Sequence, residues 1–186
     1  MVTPWFIVLS FAVGFVTTYN STWDKTCFKI KTNKRADDCC NIPGSFDEAL
    51  LKQCYDEKKF KENEQEGVTC IAECVARELG AYKNNKLVKE NVRLVFESTI
   101  GGDLNLKPVL EGVFDKCYDR ISEIDALDRN KTGAACHFAP AFLLDCVHSG
   151  IFEKCPAGVW DGGDGCEELK EKLKRGCPYF AISETL

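Results

Sequence analysis

Histidine is nearly absent from this chain, with two among 186 residues, and methionine occurs once. So little histidine leaves few general bases and few metal ligands. Zinc sites use Cys-x2-Cys or Cys/His clusters, whereas the close cysteine spacings here are x3, x9, x8 and x10. No apolar/polar alternation of any length reads as a strand. No Ser/His/Asp set, Gly-rich phosphate loop or paired-carboxylate signature stands out. The stretch "DGGDG", Asp161 to Gly165, has the composition of a calcium loop but not its ligand register or terminal Glu, so it reads as a linker turn. Positive charge is also short, with 24 Lys and Arg against 29 Asp and Glu and a net charge of −5. That balance argues against nucleic acid or anionic membrane as partners, because both select basic patches.

Charge is wholly missing from residues 1–20, "MVTPWFIVLSFAVGFVTTYN". Its apolar run Trp5–Val16, followed by Thr17 and Thr18, has the form of a secretory leader's central region, although no Lys or Arg precedes it. A membrane span needs about 20 apolar residues, more than this run supplies. The reading is a signal peptide over residues 1–20, cleaved between Val16 and Ser21, a secreted, extracellular product and no membrane span after cleavage. An uncleaved anchor is the alternative. Residues 21–186 then form a single domain. Hydrophobic content of 45% with 12 Phe supports a packed interior. Asn20-Ser21-Thr22 and Asn130-Lys131-Thr132 have the form of glycosylation acceptors.

Cysteine is what the chain has in quantity: Cys27, Cys39, Cys40, Cys54, Cys70, Cys74, Cys117, Cys136, Cys146, Cys155, Cys166 and Cys177. An even number in a secretory context predicts six bridges. Adjacent Cys39 and Cys40 suit different, distant partners, because disulfide geometry fits neighbours badly. Spacing alone does not fix the pairing, since twelve cysteines allow on the order of ten thousand connectivities.

Between the cysteines the period is helical. "SFDEALLKQCYDEKKF" opens with a Ser45/Glu48 capping box and puts Phe46, Leu50 and Cys54 on one face. "TCIAECVARELG" carries Cys70 and Cys74 on one face and stops at Gly80. "KLVKENVRLVFEST" aligns Val88, Val92, Val95 and Phe96, and "NLKPVLEGVFDKCYDRI" carries an apolar stripe from Leu106 to Ile121. "AACHFAPAFLLDCVHSG" places Phe138, Phe142, Leu143, Cys146 and Val147 on a helix read as ending at Gly150, with His137 and His148 close to one face. "DGCEELKEKLKRGCP" has an Asp164/Glu167 capping pair and ends at Gly176 and Pro178. Residues 27–44 and 156–165 are rich in turn-formers. The fold class is therefore all-α, six to seven short amphipathic helices stapled by about six disulfides. Cys146 and Cys155 would bracket a turn at Gly150, each tied to a further partner.

The order Cys54, x15, Cys70, x3, Cys74, x42, Cys117, then Cys146, x8, Cys155 resembles the six-cysteine signature of insect odorant-binding proteins. Cys136, Pro156 directly after Cys155, and Cys166 are similar to that family's Plus-C subgroup, in which twelve cysteines are expected. The likeness covers residues 54–166. It implies the bridges Cys54–Cys74, Cys70–Cys146 and Cys117–Cys155, and leaves Cys27, Cys39, Cys40, Cys136, Cys166 and Cys177 unassigned. It also implies a secreted, non-catalytic carrier of small hydrophobic molecules, odorants or semiochemicals, in an apolar cavity, with no cofactor. Further partners would be a chemosensory receptor or another binding protein. Within that frame Val92, Phe96, Leu110, Phe114, Phe142, Leu143 and Val147 are the candidate cavity lining. Tyr179 and Phe180, in the segment after the last cysteine, are the candidate closure.

Two other readings compete. A secreted helical interaction or scaffold protein with a filled core has the same periodicity. A secreted lipolytic enzyme of the phospholipase A2 kind is suggested only by "DDCC", and no histidine follows before His137 to serve as its base. His137 and His148 are read as candidate pH switches or as structural histidines.

Overall fold

The computed structural model describes residues 25–44, 46–58, 64–129 and 135–183. The leader reading, Ser45 and both Asn-x-Thr tripeptides lie outside those residues. A one-turn helix α1 (Ala36–Cys39) precedes seven longer ones: α2 (Glu48–Lys58), α3 (Glu64–Glu78), α4 (Lys89–Thr99), α5 (Lys107–Asp119), α6 (Ile121–Arg129), α7 (Ala139–Glu153) and α8 (Asp164–Lys174). A 3-10 turn at Tyr179–Ala181 ends the described chain.

Local chemistry sets most helix ends. The side chain of Asp47 accepts the N–H groups of Ala49 and Leu50, at 2.8 and 3.2 Å, and so caps the N-terminus of α2. Helix α3 stops where Gly80 takes φ 66° and Ala81 N–H reaches back to the Ala76 carbonyl at 2.7 Å. Pro108 and Pro140 sit in the first turns of α5 and α7, where no intrahelical donor is lost. The expected capping pair on α8 is not formed, because Gly163 at φ 95° occupies the cap without a side-chain bond. Between α3 and α4 lies a small hairpin, β1 (Tyr82–Lys83) paired antiparallel with β2 (Lys86–Leu87). Asn84 and Asn85 turn it with φ of 52° and 58°, the left-handed pair that two-residue hairpins need. Tyr118 hydroxyl docks the hairpin by donating to the Leu87 carbonyl at 2.9 Å.

Helix α7 is the axis of the fold, with α3, α5, α6, α8 and the Tyr179–Ala181 turn packed around it. Gly150 does not end it, contrary to the sequence reading. The helix runs on to Glu153 because Gly150 is a contact point: a Cβ there would meet Val113 Cγ1 of α5 at 2.6 Å. Glycine lets α5 and α7 approach. The second correction concerns His137, which precedes α7 and is exposed, so only His148 belongs to the helix. Helix α2 is peripheral. It buries Leu50, Leu51 and Cys54 against α3 in a satellite cluster apart from the main core.

Six disulfides are present: Cys27–Cys177, Cys39–Cys166, Cys40–Cys155, Cys54–Cys74, Cys70–Cys136 and Cys117–Cys146. The Cys54–Cys74 pair is the one that the resemblance implied. The implied Cys70–Cys146 and Cys117–Cys155 pairs are overturned. Counted from Cys54, the inner bridges still join first to third, second to fifth and fourth to sixth cysteine. The fifth and sixth are Cys136 and Cys146, with nine residues between them, not Cys146 and Cys155. Helix geometry decides this: Cys146 sits mid-α7 facing Cys117 of α5, while Cys155 lies beyond the helix end beside Cys40. The three outer bridges tie residues 27–40 to residues 155–177. Ala36 N–H to Ile182 carbonyl and Asp161 N–H to Cys39 carbonyl, at 2.8 and 2.9 Å, reinforce that seam.

Peptide mapping without reduction should recover Cys70 with Cys136, Cys117 with Cys146 and Cys40 with Cys155; a Cys146–Cys155 peptide would refute this architecture. Gly150→Ala should destabilise the protein by about 1–3 kcal/mol through overpacking, although alanine is the better helix former by ~1 kcal/mol. Chemical denaturation of Gly150→Ala, Val113→Ala and the double variant checks the cause, since the penalty should shrink when Val113 is already truncated.

Candidate ligand-binding site

One face of α7 turns toward α3, α4 and the C-terminal segment, and two hollows lie along it. The first, about 40 Å³, is bounded by Val92 and Phe96 of α4, Ala72 and Ala76 of α3, and Leu143 and Leu144 of α7. The second, about 30 Å³, is bounded by Val68, Ala141, Leu144, His148, Tyr179 and Phe180, with Asp145 at its edge. Leu144 is common to both. It is the residue that the two linings share.

The candidate lining residues distribute unevenly over this geometry. Val92, Phe96 and Leu143 line the first hollow, and Tyr179 and Phe180 the second. Leu110 and Phe114 meet Phe96 at a separate gap of about 10 Å³ between α4 and α5, where the Arg93 guanidinium lies 4.5 Å from the Phe114 ring centre. Phe142 points to the far side of α7, into a different cleft. Val147 is fully buried and lines none of these four spaces. Sequence reasoning missed Leu144, Pro140 and the alanines. Ala72 and Ala76 are four apart on α3, a small-residue pair that makes room beside the larger side chains, and that spacing was the available signal.

Two polar groups face the second hollow, and each is committed to backbone. Nδ1 of His148 lies 2.9 Å from the Leu144 carbonyl. A carbonyl only accepts, so Nδ1 carries the proton. The ring sits between Phe96 and Tyr179, with centroids at 6.2 and 5.3 Å. Burial lowers its pKa, outweighing the carbonyl contact. Asp145 accepts the N–H of Tyr179 at 2.6 Å and is also bonded by the N–H of Phe180. It thus latches the C-terminal turn to α7. Burial pushes the Asp145 carboxyl up to about 7, with those two bonds opposing the rise. Burial likewise raises the Tyr179 phenol, beside Asp37. Among the described residues no three His, Cys, Asp or Glu side chains converge as metal ligands, and no helix is long and apolar enough to cross a membrane.

The chain is a disulfide-caged helical domain with small apolar spaces beside its central helix, and comparison with known proteins gives it a family. The family described as AgamOBP47-like matches residues 43–172. General odorant-binding protein 67 of Anopheles gambiae is 30% identical over 159 residues, covering 81% of this chain and 78% of that protein. Odorant-binding protein 47 of Anopheles gambiae is 24% identical over 164 residues, with 79% of this chain and 71% of the relative covered. The chain belongs to the odorant-binding protein family, and its twelve cysteines in six bridges agree with the Plus-C subgroup.

The two titrating groups of α7 act in opposite directions. Asp145 is raised from 3.8 to about 7, so its contribution to stability is fully present below about pH 4 and is lost as pH rises through about 7. His148 is lowered from 6.5, so its contribution is present above that value and is lost as pH falls through the folded pKa. Thermal unfolding of wild type and Asp145→Asn from pH 4 to 7.5 should isolate the first. The difference between them should change by up to about 1.4 kcal/mol per pH unit inside the window. A constant difference would mean that Asp145 does not titrate there.

Proposed function

We propose that this protein is a secreted, non-catalytic carrier that holds one small apolar molecule beside α7, in the space around Leu144. The observation that carries this reading is the pair of apolar hollows that share Leu144 as a lining residue. Their volumes, about 40 and 30 Å³, fall well below the roughly 300–1,000 Å³ of small-molecule sites. Loading therefore requires Leu144 to change rotamer and the C-terminal turn to give way. Both are the right elements to move. Leu144 and Phe180 are only half-buried, and the turn's contact with α7 depends on the Asp145 latch and on ring contacts from His148 and Phe152 to Tyr179.

Secretion is supported by the leader-like residues 1–20 and by six disulfides, which persist in oxidising compartments. Carriage of odorants is supported by the family and by the names of its mosquito relatives. The non-catalytic reading is supported by the family and by its relatives, which are named odorant-binding proteins.

Displacement of a fluorescent naphthyl probe tests the site. Leu144→Ala should join the hollows and tighten probe binding several-fold. Leu144→Trp should fill them and weaken binding at least tenfold. Equal probe affinity in wild type and both variants would instead favour a filled-core scaffold.

A further inference from the structure

The face of α7 opposite the hollows borders a cleft of about 1330 Å³ between α5, α7, α8 and the Thr26–Lys31 segment. Its charge is opposite to that of the protein. The chain carries a net −5, yet eight side chains around the cleft are Lys or Arg and three are Asp or Glu. Lys174 is paired with Glu171 at 2.6 Å, and the carboxylates of Asp145 and Glu168 accept Tyr179 N–H and Lys31 N–H, the latter at 3.2 Å, so the remaining cations still outnumber the acids. The floor is apolar, formed by Val113, Phe142, Leu173 and the Cys117–Cys146 bridge.

Two cations give the cleft its chemistry. Lys172 is 4% exposed, and its ammonium is held by the carbonyls of Thr26, Cys27 and Lys29 at 3.2, 3.3 and 2.8 Å. Those dipoles satisfy its three donors, but among the described residues no carboxylate lies within ion-pair distance, so its charge still acts on the cleft. Arg120 ends α5 with its guanidinium 5.1 Å from the Phe142 ring centre. No acceptor among the described residues takes its side-chain donors. A planar fork with free N–H groups, lying on an aromatic floor, is suited to a carboxylate whose chain is apolar. Lys116, one turn earlier on the same helix, is exposed and has no ion-pair partner among the described residues.

We propose that this cleft is a second binding site, for a small amphipathic anion: an alkyl-chain carboxylate with its chain on Val113, Phe142 and Leu173 and its head on Arg120 and Lys116. Asp145 borders both this cleft and the second hollow, but Val113, Phe142, Leu173, Arg120 and Lys116 line neither hollow, so the site stands or falls apart from the carrier reading.

Calorimetry with dodecanoate and dodecan-1-ol, both below their aggregation limits, tests the proposal. Wild type should bind dodecanoate at least tenfold more tightly than the alcohol, with the gap narrowing as salt rises. Arg120→Gln should lose that tenfold preference and leave naphthyl-probe binding unchanged. Lys116→Gln, at an exposed position, should show the same loss even if Arg120→Gln is poorly folded. Leu144→Trp, which blocks the hollows, should leave dodecanoate binding intact. Equal affinity for acid and alcohol would overturn the proposal. So would acetate or inorganic phosphate binding as tightly as dodecanoate, or a preference that survives both cation variants. Loss of dodecanoate binding in Leu144→Trp would move the carboxylate into the hollows and equally remove this site.

Discussion

Everything in this protein is arranged around the need to surround α7. Nine of its fifteen residues are buried, on all sides of the helix. A helix that is apolar around its circumference is stable in water only when other elements cover it completely. Helix α3 covers one side, α5 and α6 another, and α8 with the C-terminal turn the rest. The requirement extends to α7's few polar groups. Asp145 and His148 each find a partner in backbone. Asp145 finds N–H groups of the C-terminal turn and His148 finds the Leu144 carbonyl. The C-terminal segment is therefore held by the polar needs of a buried helix as well as by apolar contact.

The disulfides divide the labour along the chain. Of the inner three, Cys54–Cys74 joins α2 to α3, Cys117–Cys146 anchors α7 to α5 near the close contact at Gly150, and Cys70–Cys136 ties α3 to the segment before α7. The outer three bind the two ends of the chain to each other across sequence separations of 115 to 150 residues. Closing such long loops restricts the unfolded chain most, in the entropic account of disulfide stabilisation. The N-terminal segment has little core of its own: Ala36, Cys39, Cys40 and Ile42 are its contribution. Bridges and the buried Lys172 ammonium hold it where apolar burial alone would be thin.

Alpha-helical class, the apolar stripe of α5, the proline starts of α5 and α7, and the separation of Cys39 from Cys40 were all legible from residues. These features depend on neighbours within one or two turns, and local chemistry decides them. The hairpin at Asn84-Asn85 was equally local but too short to register as alternation. Gly150 was misread because glycine ends helices for one reason and permits close packing for another. Only the presence of Val113 opposite distinguishes the two. The same ambiguity displaced the implied bridges by one cysteine, since x8 and x9 spacings look alike until the end of α7 is known.

The candidate lining residues show where sequence reading stops. Phe96, Phe142 and Val147 have equal claim to a cavity by periodicity, yet they end beside a hollow, on the floor of a basic cleft and in solid core respectively. Charge behaves likewise: a net −5 said nothing of a cleft where Lys and Arg outnumber acids. The sequence by itself determined that the chain is helical, which stripes are apolar and that its cysteines must pair. These follow from period, caps and composition. Tertiary structure decided which cysteines meet, which faces of α7 border open space and where positive charge collects. Those depend on distances between residues far apart in the chain, and no local pattern encodes them.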